Sequence, residues 1–75
     1  MTDNPREMVA ERFDRAAAEL RTAADHLDIA AGHFRAGEVP RGCAHGFAAE
    51  GHMVNARRLV DENAVVHSEH ASTGQ

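Results

Sequence analysis

The chain has 75 residues, enough for one small domain, and 15 of them are alanine, so few side chains are large enough to fill a core. Leu, Ile, Val and Phe together number 13, a share at which high charge would signal disorder, but the formal charge of −4 is small and the chain reads as folded. Twelve acidic residues against eight dispersed basic ones exclude a sequence-independent grip on nucleic acid, and the single cysteine excludes an internal disulfide.

No apolar run approaches the roughly 20 residues that span a bilayer, and Met1-Thr2-Asp3-Asn4 lacks the basic flank and apolar segment of a secretory leader. The expectation is a cytoplasmic protein with no membrane partner.

In chain order, Asn4-Pro5-Arg6-Glu7 reads as a helix start: Asn4 caps, Pro5 suits the first turn, and Glu7 stands where a carboxylate reaches back to the cap. A helical pattern then runs from about residue 5 to 36. Phe13, Leu20, Leu27 and Phe34 recur every seven residues, each of the first three followed at three and four by an alanine pair: Ala16-Ala17, Ala23-Ala24 and Ala30-Ala31. Gly37 ends this helix as the expected left-handed residue, and Pro40 opens the next, with Gly37-Glu38-Val39 as the turn. A second helix over about 39–69 carries Gly46, Ala49, Met53, Ala56, Val60 and Ala64 as one stripe. Residues 1–3 and 71–75 read as frayed ends of a single domain covering 1–75.

So short a turn forces the helices antiparallel and pairs residues whose numbers sum to about 76. The predicted fold is all-α, a two-helix hairpin with alanine-rich heptads. Its core within the hairpin is expected at Phe13, Leu20, Leu27 and Phe34 against Ala49, Met53, Ala56 and Val60, large facing small. Gly32, Gly42, Gly46 and Gly51 suggest close approach of a neighbouring helix, since each costs a helix interior about 1 kcal/mol relative to alanine.

On one flank of this seam the register sets Glu19 against Arg57 and His26 against Glu50, a solvated side. The other flank, Ala10, Ala17, Ala24 and Ala31 with His45, His52, Leu59 and Val66, is nearly uncharged. A lone two-helix layer has no interior closed on both sides, so this flank is the expected dimer interface. Two hairpins pressed together there make a four-helix bundle.

The six histidines are the chain's unusual feature. His26 and His33, like His45 and His52, are seven apart, which separates same-helix rings by about 10.5 Å, too far to share an ion. His67 and His70 are three apart near the end of the second helix. Across helices, His33, Cys43, His45 and His52 are the candidate metal ligands, but no HExxH, CxxC or Glu-x-x-His pattern occurs and no site or cofactor is assigned. Protonating His45 and His52 in an apolar contact would loosen the dimer between about pH 7 and 5. Cys43 reads as a small apolar filler.

With no catalytic constellation, the chain is expected to be non-enzymatic, working by homodimerisation and by association with a larger protein as a structural or accessory module. The alternative is a transition-metal or haem carrier using histidines from both helices.

Overall fold

The computed structural model describes residues 5–70, with the backbone alone described at His70. The expected helix cap at Asn4 and the expected frayed ends lie outside the described residues. Two helices, α1 (Pro5–Arg35) and α2 (Val39–His70), pack as a hairpin with extents of 57 × 29 × 14 Å, and the described residues contain no strand.

The turn follows from Gly37, whose φ of 78° is left-handed. That conformation lets the Glu38 amide donate to the His33 carbonyl at 2.8 Å and the Gly37 amide donate to the Phe34 carbonyl at 3.0 Å, the paired bonds that satisfy the last carbonyls of a helix. Glu38 then stands just before α2, its carbonyl accepting from the Gly42 amide at 3.0 Å. Helix bounds match the sequence expectation to one residue, with Val39 in the helix and not in the turn.

The core is made of small residues. Ala16, Ala23 and Ala30 on α1 are buried against Ala49, Ala56, Leu59 and Asn63 on α2, and Gly42 is buried as well. Each helix thus carries its own seven-residue repeat of buried positions, 16-23-30 and 42-49-56-63. Methyl groups in the seam let the backbones approach closely, but they supply little of the roughly 1.5–3 kcal/mol that each buried large side chain contributes.

This corrects the expected core. Ala49 and Ala56 are buried as expected, but Phe13, Leu20, Leu27 and Phe34 are each between 47% and 50% exposed, and Met53 and Val60 are exposed too. The physical reason is rotational. Alanine at 16, 23 and 30 sits three residues beyond the Phe/Leu repeat, about 60° round the helix. Small residues, which permit the shorter interhelical distance, take the centre, and the large ones fall to one margin.

Close approach is likewise confined to one glycine of the four. A Cβ at Gly42 would lie 2.5 Å from Phe34 Cδ2 and 3.2 Å from the Ala30 carbonyl oxygen. At Gly32, Gly46 and Gly51 it would meet nothing within 4 Å among the described residues.

Candidate functional site

With the alanine repeat at the centre of each helix, positions three after or four before it lie to one side, and positions four after or three before it lie to the other. Antiparallel helices bring like sides together. One face of the hairpin therefore collects Arg12, Glu19, His26 and His33 with His45, His52, Leu59 and Val66. The opposite face collects Phe13, Leu20, Leu27 and Phe34 with Gly46, Met53, Val60 and His67.

The first face carries a ladder of imidazoles. Rings from the two helices interleave, so the ~10.5 Å heptad spacing within each helix is halved. Ring centroids are 5.4 Å apart for His33 and His45, 5.2 Å for His45 and His26, and 5.5 Å for His26 and His52. The outer two pairs are stacked, with interplanar angles of 19° and 14°. Nδ1 of His26 and Nδ1 of His45 are 2.9 Å apart, so one ring donates its N–H to the lone pair of the other.

A carboxylate closes each end of the ladder. His33 Nδ1 donates to Glu38 Oε1 at 2.8 Å, and Arg41 reaches the other oxygen of Glu38 at 3.5 Å. His52 Nδ1 donates to Glu19 Oε1 at 2.7 Å, and Asn55 donates to the same oxygen at 3.2 Å. The hydrogen bond from His52, then that from Asn55, holds the Glu19 carboxyl below the usual carboxylate range. With the folded value depressed, the stability this contact gives is present above the unfolded-state value and lost as the pH falls through the folded one.

Nearer the open end, Arg12 pairs with Glu62 at 3.2 Å and donates to Asn63 Oδ1 at 3.4 Å, while Asn63 Nδ2 donates to the Val9 carbonyl at 3.0 Å. Asn63 is the polar member of an otherwise apolar buried repeat, and these two bonds satisfy its amide.

The opposite face is apolar and open. Its α1 row is flanked by Ala17, Ala24 and Ala31, and its α2 row by Glu50 and Arg57, one residue beyond the buried alanines. Among the described residues, grooves lie between the helices at both ends. One, of about 660 Å³ at the open end, is lined by Val9, Phe13, Val60, Ala64, Val66 and His67 among others. A second, of about 380 Å³ near the turn, is lined by Phe34, Gly42, Cys43, Phe47 and Glu50 among others.

The residues expected to form one interface are thus divided. Ala10, Ala17, Ala24 and Ala31 border the apolar face. His45 and His52 belong to the ladder, Leu59 is buried in the seam, and Val66 is half-buried at the open end, where it lines the groove with Phe13 and Val60. Glu19 meets His52 and Asn55 instead of Arg57, whose guanidinium binds Asp61 on its own helix at 3.0 Å.

His33 and Cys43 do not come together. Cys43 is exposed on the apolar side of the seam and His33 stands in the ladder. His67 is exposed. Each ladder ring neighbours rings from the other helix only, so three never converge on a point, and among the described residues no group of three or more His, Cys, Asp or Glu could hold a metal ion. No helix among the described residues is long and apolar enough to cross a membrane.

Sequence reading missed the ladder because it put the histidines of α1 and α2 on opposite flanks. The signal available was that His26 and His33 share a heptad column with Glu19, as His45 and His52 share one on α2.

No family model, curated protein or solved structure matches the chain.

Proposed function

We propose that the chain acts by association, as a structural or accessory module, and that the partner of its apolar face is a second copy of itself. The observation that carries this reading is the symmetry of that face. Phe13, Leu20, Leu27 and Phe34 form a palindrome, large aromatic at both ends and leucine at both middle positions. A twofold axis between two stacked hairpins, perpendicular to the helices at the level of residues 23 and 24, sets Phe13 of one copy over Phe34 of the other and Leu20 over Leu27. An isologous contact requires this exchange.

The second helix has a centre of its own close to this axis. Centred near residue 53, α2 of one copy lies antiparallel on α2 of the other, and Glu50 falls opposite Arg57 in both directions. By the contacts of Phe34 with the Gly42 position and of Glu19 with Asn55, the two centres lie within one helical turn of each other. Ala17, Ala24 and Ala31 point toward the second copy's α1 and allow close approach there.

The area is sufficient. The α1 row spans about 31 Å and two helices are about 20 Å wide, a footprint of about 600 Å² per copy, which reaches the lower end of specific interfaces. The assembly is a four-helix bundle with the imidazole ladders on its two outer faces. Sedimentation equilibrium at micromolar concentration is expected to return twice the chain mass. A folded monomer under those conditions would remove the proposal.

A further inference from the structure

We propose that His26 and His45 form a proton-sensitive latch between α1 and α2, closed while their facing nitrogens share one proton and opened when both rings are charged. The 2.9 Å separation of the two Nδ1 atoms requires a donor on one side and a lone pair on the other. A fully protonated imidazole carries hydrogen on both nitrogens, so two such rings present N–H to N–H at that distance. The contact then has no acceptor, and the rings must separate.

The surroundings of the pair make it the sensitive point of the ladder. From α1, the groups along this face are Arg12, Arg15, Glu19, Thr22, His26, Ile29 and His33. From α2 they are Arg41, Ala44, His45, Ala48, His52, Asn55 and Glu62, with Glu38 in the turn. The carboxylates of this set stand at or beyond the ends, where Glu19 takes His52 and Glu38 takes His33. Arg15 and Arg41 act on those carboxylates, and Arg12 is tied to Glu62.

Inside the ladder each inner ring has another imidazole as its further neighbour, His52 beside His26 and His33 beside His45. No hydrogen bond or ion pair joins either inner ring to a carboxylate among the described residues. A charged inner pair therefore has imidazoles and no carboxylate directly beside it, in a seam of alanines that holds the helices with little apolar burial. Protons on all six histidines carry the formal charge from −4 to +2. The latch uses contacts within one chain, so its geometry does not involve the proposed association, and its test compares variants at one protein concentration.

The test is thermal unfolding of the full chain followed by circular dichroism, at one protein concentration and in the presence of a chelator. It is run at about pH 7.5 and about pH 5, on either side of the ordinary imidazole range. The wild-type midpoint is expected to fall by about 10 °C on acidification. His26→Gln and His45→Gln each keep one imidazole facing an amide that can donate or accept, and each is expected to lose most of that fall. His67→Gln, on the other face, is expected to retain it. An acid-insensitive wild type, or a fall of equal size in both inner-pair variants, overturns the latch.

Discussion

Replacing Leu20 and Leu27 together by glutamate is expected to turn the protein into a monomer with much of its helical signal lost at micromolar concentration. Both side chains are about half exposed in the hairpin, so each has roughly half of a leucine's burial still to gain from a partner. At about 1 kcal/mol for each of four leucines in a twofold contact, the loss is about 4 kcal/mol, a roughly thousandfold weaker dimer. Carboxylates on the axis add repulsion, because the exchange sets position 20 of one copy over position 27 of the other.

The helical signal should fall with the mass, since an alanine seam by itself holds the two helices weakly. Val65→Glu, at an exposed outward position of α2, is the matched control and should leave both mass and helicity unchanged. A double variant that sediments as a folded dimer would show that the Phe/Leu row is not the contact.

The second large effect is expected within the seam. Ala49 has no exposed surface, and its methyl group faces the alanine repeat of α1. Enlarging it to leucine drives three further carbon atoms between backbones that are close because alanine stands there. Overpacking of this kind costs about 1–3 kcal/mol or more, against a total stability for a chain of this size of about 4–11 kcal/mol. The expected result is a fall in unfolding midpoint of about 10 °C, read by calorimetry.

Leucine at the exposed Ala44 should change stability by less than about 0.5 kcal/mol. If Ala49→Leu instead raised the midpoint, the seam would have room to fill, and the close packing of alanine on alanine would not be what holds the helices.

The comparison of sequence with structure turns on one rotation. Heptads and punctuation determined the hairpin: Gly37 could only end a helix, Pro40 could only begin one, and both helices follow within a residue. What composition could not decide was which of two neighbouring repeats on α1 occupies the centre. Phe13, Leu20, Leu27 and Phe34 are the more apolar, and ranking by burial energy puts them in the seam. Ala16, Ala23 and Ala30 win because small residues at the centre let the helices approach closely, as at Gly42 against the Ala30 carbonyl, an effect that belongs to the pair of helices and not to any side chain.

That rotation moves every flank. Turning α1 by about 60°, the angle between its two neighbouring repeats, carries Phe13 and its repeat from the seam to an open face. It also brings His26 and His33 to His45 and His52, away from the expected dimer contact. Spacing within one helix gave rings too far apart to interact. Only the interleaving of two helices, which a single helix's periodicity does not contain, brings them to 5.2–5.5 Å. The alanine flank, by contrast, was legible: Ala17, Ala24 and Ala31 border the apolar face.

The most direct measurement is disulfide formation from a single cysteine placed beside the twofold axis. In the Cys43→Ser background, Ala24→Cys puts one thiol on α1 at the level where α1 of each copy crosses the other, while Ala18→Cys puts it on the outer side of the same helix. Mild oxidation followed by non-reducing electrophoresis is expected to give rapid, nearly complete covalent dimer for the first variant and little for the second. Equal cross-linking of the two, or none at position 24 in protein that remains helical, would contradict an antiparallel pairing of the Phe/Leu faces.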